Sequence, residues 1–384
     1  MAAVPCTPFR IGIPQSVLDD LRQRLERTRW PDPSPGYGWK QGTELSYLQS
    51  LVGTWRDGFD WRKQETLLNG FPQFTTEVDG LRLHFLHVRS PHPAARPLLL
   101  LHGWPGSVFE FYKLIPRLTE PEQHGGRAGD AMHIVAPSLP GYGFSSAPRE
   151  PGGAPRQFAR QMHALMADRL GYQSYFAQGG DWGSVIASWL ALDHPEAVAK
   201  LHLNMMGLRP ALGPGAPPLN AEELAYLEQA KRLRSEELGY QAIQGTRPQT
   251  LGYGLQDSPA GLAGWLVEKY RSWTDCDGEI ERALTRDEIL TLITIYWVTG
   301  SITSSLRLYF EFRASKDALR PGERVAVPVG FADFPREILR VPRAFAERAY
   351  TIRHWTTMPK GGHFAALEQP ESLAQDLWKF FGRE

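Results

Sequence analysis

Gln178-Gly179-Gly180-Asp181-Trp182-Gly183-Ser184 follows an apolar run, Tyr175-Phe176-Ala177, and precedes a helix-like one, 185–192, so the context reads strand, tight turn, helix. A strand that turns sharply into a helix lifts one side chain clear of a parallel sheet on a strained backbone, and it needs small residues two positions either side. Gly179 and Gly183 supply them. The raised residue in such a nucleophile elbow is usually serine, whereas here it is Asp181, a carboxylate already ionised at neutral pH that needs no base to activate it. Attack on an ester or amide carbonyl would give a mixed anhydride, but displacement at a saturated carbon gives an ordinary alkyl ester. Epoxides and alkyl halides are the two substrate classes with the required strain or leaving group. The plain alternative is a glycine-rich turn with Asp181 as helix N-cap.

Composition narrows the field further. The chain has 384 residues, 42% of them hydrophobic, which allows one to three domains and a sizeable core. Lys+Arg and Asp+Glu number 42 each, so no net field draws in nucleic acid or an anionic membrane surface, and small neutral partners fit better. Cys6 and Cys276 are far apart and lack metal-ligand spacing, so neither a disulfide framework nor a metal site is expected, and a reducing cytoplasm is the default location. No apolar run approaches the ~18 residues of a membrane span, and residues 1–10 lack the regions of a signal peptide.

Along the chain, a leader (1–75) carries an amphipathic helix over 14–28, with Val17, Leu21 and Leu25 on one face, a Pro/Gly-dense break at 31–38, and helical segments at 43–56 and 61–68. This leader is expected to lie ahead of any strand of the sheet. Alternation over 77–89 about Asp79-Gly80 predicts a hairpin. Apolar runs at 97–101, 132–136, 174–178 and 198–204 alternate with helical segments at 108–118, 156–170 and 185–192, the signature of a mostly parallel, doubly wound α/β sheet over 76–204. From 205 to 320 the signals turn helical (221–238, 259–273, 286–297, 303–312), which reads as a lid inserted into the sheet domain. Strand signals resume over 321–384, at 325–331 and 350–355, and the chain ends in a helix at 371–381.

An elbow carboxylate leaves three roles to fill: a base for the water that cleaves the ester, an acid to orient that base, and donors for the ester's oxyanion. His363, in Gly361-Gly362-His363-Phe364 just past the last strand, stands where nucleophile–acid–histidine chain order puts the base. Asp333 and Glu337 both follow the strand at 325–331, and spacing does not choose between them. Trp104, in His102-Gly103-Trp104-Pro105, lies where one oxyanion donor is expected, and the N–H of Trp182 is the other. Gly143-Phe144-Ser145-Ser146-Ala147 has the spacing of a serine elbow, but Pro148 and Pro151 forbid the helix that must follow. Trp265, Trp273 and Trp297 hint at a lipophilic substrate and equally at a core.

Together, His102-Gly103-Trp104-Pro105, Gly179-Gly180-Asp181-Trp182-Gly183, the segment 330–337 and the segment 353–364 resemble the epoxide hydrolases of the microsomal and juvenile-hormone branch of the α/β-hydrolase fold, over nearly the whole chain. The resemblance likens the leader to that branch's N-terminal meander. It implies Asp181 as nucleophile, His363 as base and Glu337 as orienting acid, and it assigns Tyr240 and Tyr309 as proton donors to the epoxide oxygen. It implies a small lipophilic epoxide and water as partners and no cofactor or metal, and it leaves room for a homodimer. The hydrophobic anchor of membrane-bound members has no counterpart in the sequence given. The rival readings are a haloalkane dehalogenase and a non-catalytic ligand-binding member of the fold.

Overall fold

Leu98-Leu99-Leu100-Leu101 explains the layering. Side chains alternate along a strand, and here Leu98 and Leu100 join one apolar core while Leu99 and Leu101 join another, all four almost completely buried. Each such burial contributes about 1.5–3 kcal/mol, so the strand is fixed between two covered faces. The computed structural model describes residues 5–33, 35–213 and 215–382. Residues 1–4, part of the stretch read above as lacking a signal peptide, lie outside the described residues, as do 34 and 214.

The strands are β1 (Thr7–Phe9), β2 (Gln73–Val78), β3 (Leu81–Val88), β4 (Arg96–Leu101), β5 (Met132–Pro137), β6 (Tyr175–Gly179), β7 (Val198–Leu203), β8 (Val325–Asp333) and β9 (Tyr350–Thr357). They form one 9-stranded sheet in the order β1-β2-β3-β5-β4-β6-β7-β8-β9. Pairing is antiparallel from β1 to β5 and parallel from there to β9. This is the α/β-hydrolase fold expected from the sequence.

One expectation fails. The leader does not lie ahead of the sheet: Thr7 to Phe9 pair antiparallel with Thr75 to Gln73, so the leader supplies the edge strand β1, and β2 also starts inside the 1–75 boundary. Three residues are too few for a period-two signal, and Pro8 reads as a breaker although an edge strand tolerates it.

The helices are α1 (Gln15–Glu26), α2 (Leu45–Asp57), α3 (Trp61–Asn69), α4 (Leu114–Thr119), α5 (Pro155–Ala164), α6 (Asp181–Asp193), α7 (Ala221–Glu236), α8 (Gly239–Gln244), α9 (Pro248–Asp257), α10 (Pro259–Trp273), α11 (Arg286–Thr299), α12 (Ile302–Ser315), α13 (Arg343–Glu347), α14 (Ala365–Glu368) and α15 (Pro370–Phe381). The single helix expected over 108–118 is instead a 3-10 turn, Val108–Phe111, followed by α4. Pro116 has no N–H to continue a helical ladder from Tyr112, so it fits only near a helix start. Helices α8 and α9 leave no clear trace in the sequence because glycines at 239, 252 and 254 mask their periodicity, and packing against α12 overrides propensity.

Between β7 and β8 the described chain is helical and carries no strand. The leader holds this insert in place. Arg24 of α1 donates to the Asp257 carbonyl at 2.9 Å, and the Thr43 hydroxyl to the Gly264 carbonyl at 2.6 Å. Among the described residues no single helix is long and apolar enough to cross a membrane.

Candidate active site

Four loops leave the carboxyl ends of parallel strands and converge, as open α/β sheets arrange their ligand sites: the loop after β4 with Trp104, the turn after β6 with Asp181, the segment after β8 with Glu337, and the loop after β9 with His363.

Asp181 is the first residue of α6 and has φ 47°, a left-handed conformation that is strained for a residue with a side chain. The strain is tolerated because the backbone is crowded by design. A Cβ on Gly183 would fall 2.0 Å from the Leu101 carbonyl oxygen, and one on Gly103 would fall 2.2 Å from Asp181 Oδ1. Helix and loop therefore approach the elbow as only glycine allows.

The two oxygens of Asp181 face different partners. Oδ1 accepts the Trp104 backbone N–H at 2.7 Å, while Oδ2 lies 3.3 Å from His363 Nε2. On its other side His363 places Nδ1 2.8 Å from Glu337 Oε1. His363 and Glu337 are buried, whereas 17% of the Asp181 side chain is exposed. Burial alone would lower the His363 pKa. The charge of Glu337 and hydrogen bonds to both carboxylates outweigh it and hold the imidazole well above its ordinary value. Asp333, the alternative to Glu337, is taken instead by Arg340, whose Nε donates to Oδ1 at 2.8 Å.

Tyr240 and Tyr309 come from α8 and α12 and meet over this trio. Both are nearly fully buried, with ring centroids 5.9 Å apart. Tyr240 stacks on Trp104 at 5.3 Å and 10°, and Tyr309 sits edge-on to Trp182 at 4.8 Å. Burial raises both phenols well above their usual pKa, and the Asp181 charge adds to it, so both stay protonated. Trp273 packs edge-on to His363 at 5.1 Å. Trp265 and Trp297 are elsewhere: the first donates to Gln244, and the second lies under Arg24 of the leader.

Three residues near this centre carried no signal in the sequence. Glu368 accepts backbone N–H groups from Asp275, Gly362 and Phe364 at 2.8–3.0 Å and so fixes the loop on either side of His363. Glu110 is only partly buried as a residue, yet its carboxyl group lies deep, so close to Gly106 that a Cβ there would fall 1.4 Å from Oε1. Burial pushes this carboxyl up to about 8. Lys269 is buried against the Tyr240 ring. Nothing in spacing or periodicity separates these from surface charges.

The rest of the frame is structural. His102 donates from Nδ1 to the Gly103 carbonyl and accepts the Leu139 N–H on Nε2, and burial lowers it to about 4, so it is a neutral strut. Tyr270 and Tyr296 reach down from the insert and donate to the carbonyls of Pro105 and Gly106, both at 2.8 Å. Ser145, of the discarded serine motif, donates to the Ser138 carbonyl at 2.6 Å. A cavity of about 20 Å³ lies against Gly103, Trp104, Glu110, Gln178, Asp181 and His363, room for one water molecule.

The arrangement can form an ester on Asp181 and hydrolyse it. Comparison with known proteins gives the family. Residues 6–111 match the family described as "Epoxide hydrolase N terminus", and residues 96–241 match "alpha/beta hydrolase fold". Epoxide hydrolase 1 of Sus scrofa is 40% identical over 401 residues, covering 98% of this chain and 88% of that protein. The crystal structure of juvenile hormone epoxide hydrolase from the silkworm Bombyx mori is 35% identical with TM-score 0.85, covering 98% of this chain and 93% of that one. The Aspergillus niger epoxide hydrolase structure is 33% identical with TM-score 0.86, covering 99% and 97%.

Proposed function

Since the chain belongs to the epoxide hydrolase family and is an epoxide hydrolase, we propose that it opens its substrate through an ester on Asp181. Residues 205–320 act as the lid that brings the two tyrosines over the sheet. In the first step Asp181 Oδ2 attacks one oxirane carbon, the C–O bond breaks toward oxygen, and that oxygen takes a proton from Tyr240 or Tyr309. In the second, His363, oriented by Glu337 and having released its resting proton to solvent once Asp181 is esterified, takes a proton from water as the water oxygen attacks the Asp181 carboxyl carbon. Oδ1 becomes the oxyanion, stabilised by the N–H groups of Trp104 and Trp182. The bond from that carbon to Oδ2 then breaks, the diol leaves with a proton from His363, and the carboxylic acid proton returns to the phenolate. Water supplies the oxygen left on the enzyme.

The observation that carries this reading is the continuous line Glu337–His363–Asp181–Trp104 N–H, in which each oxygen of Asp181 already faces the partner its step requires. Single turnover in heavy-oxygen water tests it. The first diol should carry an unlabelled oxygen from Asp181 and the label should enter the enzyme; label in the first diol with none in Asp181 would mean direct attack by water. The aromatic wall of Trp104, Trp182, Trp273, Tyr240 and Tyr309 favours a small lipophilic epoxide. Cys6 and Cys276, both free thiols, favour a reducing, cytoplasmic setting.

A further inference from the structure

Lysine is almost never fully buried unless its charge is matched, and Lys269 on α10 is 4% exposed. Its Nζ lies 2.6 Å from Glu268 Oε2 and 4.6 Å from the centre of the Tyr240 ring, the same ring that stacks on Trp104. It also lies 6.0 Å from the Trp273 ring, whose backbone carbonyl accepts the His363 N–H. A pair with Glu268 alone would not require the ammonium to sit over an aromatic face, since Glu268 is partly exposed and could be met nearer solvent.

We propose that Lys269 is a positioning residue for epoxide opening, which holds the Tyr240 ring in place and stabilises the negative charge that ring acquires as its hydroxyl gives a proton to the departing oxygen. This rests on the reading of Tyr240 as a proton donor. The electron pair of the broken C–O bond goes to the epoxide oxygen, the proton comes from Tyr240 Oη, and the phenolate left behind spreads its charge into the ring. Burial and the charges of Asp181, Glu268 and Glu337 make that charge harder to form and a hydrogen bond with Tyr309 eases it, and Lys269 adds a cation 4.6 Å from the ring centre. Among the described residues no cation lies over the Tyr309 ring, which meets Trp104, Trp182 and Tyr240. The cation therefore biases proton donation toward Tyr240.

The test is rapid-mixing measurement of alkylation and ester hydrolysis separately in Lys269→Met, Lys269→Gln and Lys269→Arg, alone and combined with Tyr240→Phe or Tyr309→Phe. Lys269→Met and Lys269→Gln should slow alkylation roughly 10- to 30-fold, the size of a desolvated cation–aromatic contact, with ester hydrolysis nearly unchanged. Lys269→Arg should recover most of the loss. On the Tyr240→Phe background the Lys269→Met change should cost nothing further, whereas on Tyr309→Phe it should cost the same as in the wild type. Wild-type alkylation in the folded Met and Gln variants overturns the proposal, and so does an equal loss on both backgrounds, which would mark Lys269 as packing alone. If Tyr240→Phe itself alkylates at the wild-type rate, the proton-donor reading fails and takes this one with it; if Tyr240→Phe is slow but Lys269→Met is not, only this one fails.

Discussion

His363 Nε2 lies 3.3 Å from Asp181 Oδ2, a contact between charged groups that exists only while Asp181 is free. In the resting enzyme burial works against charge on His363, but two carboxylates keep it protonated. In the proposed mechanism, alkylation turns Asp181 into a neutral ester and removes one of them. On that mechanism the imidazole then falls back toward a value at which it can accept a proton from water, so the proposed first step would prepare the base for the second.

The rate of ester hydrolysis in the pre-alkylated enzyme should therefore rise with pH, with an inflection below the pH at which resting His363 loses its proton. Titration of the resting imidazole by NMR gives the upper value, and the hydrolysis profile gives the lower. The reverse order would remove His363 as the base. His363→Ala should still be alkylated and should accumulate as protein heavier by one substrate, hydrolysing it ~10²- to 10⁴-fold more slowly. A variant that stays unmodified under saturating epoxide contradicts this.

Asp181 and His363 could be read from sequence because their loops need glycine at fixed offsets, a local demand that leaves a local trace. Asp333 and Glu337 could not be separated that way. Arg340 folds back to claim the first and leaves the second for His363, a choice made in three dimensions. Tyr240 and Tyr309 came through the resemblance alone, since a tyrosine on a lid helix reads as packing. Strand β1 is too short to announce itself, and Lys269 beside Glu268 looks like one more charged pair on a helix surface until its burial is seen.

The two crowded glycines should fail in different ways. In Gly103→Ala the new Cβ would meet Asp181 at its carboxylate and its Cβ, 2.2–2.3 Å away. The carboxylate proposed as nucleophile must move, and turnover should fall by roughly 100-fold or more with a modest stability loss of about 1–2 kcal/mol. In Gly183→Ala the clash is with the Leu101 and His102 carbonyls, at 2.0 and 2.9 Å, and backbone cannot yield so easily. That variant should lose about 3 kcal/mol or more, or fail to fold. Denaturant melts beside epoxide turnover separate the cases, and a fully active Gly103→Ala enzyme would show that the loop does not locate Asp181.

Glu110 gives a stability prediction with a definite sign. Burial raises its folded pKa from 4.5 to about 8. Below the unfolded value both states are protonated and the group contributes nothing. Between the two values the unfolded chain ionises while the folded one resists, so stability is lost as pH rises and the penalty is complete above the folded pKa. Glu110→Gln should match wild type near pH 4 and exceed it near pH 8 by on the order of 1–3 kcal/mol. Urea melts across that window check it, and a difference that does not change with pH would mean Glu110 ionises freely in the folded protein.

The tyrosines distinguish opening of an epoxide from loss of a halide. The alkoxide leaving an epoxide is far more basic than a halide, so ring opening at neutral pH needs a proton donor, whereas a halide needs only weak N–H donors. Burial keeps both Tyr240 and Tyr309 protonated, and both lie beside Asp181 closely enough to feel its charge. Tyr240→Phe and Tyr309→Phe should each slow alkylation by ~10- to 1000-fold, and the double variant should be nearly inactive. Hydrolysis of an ester already formed on Asp181 should change much less, because the phenols serve the other half of the reaction. Removing either hydroxyl from a purely packing tyrosine would alter both steps together or neither. If the double variant opens epoxides at the wild-type rate, the proton must come from elsewhere. If the wild type also released halide from chloroalkanes faster than it formed diols, the indole-rich wall around Asp181 would be serving the leaving group in place of the phenols.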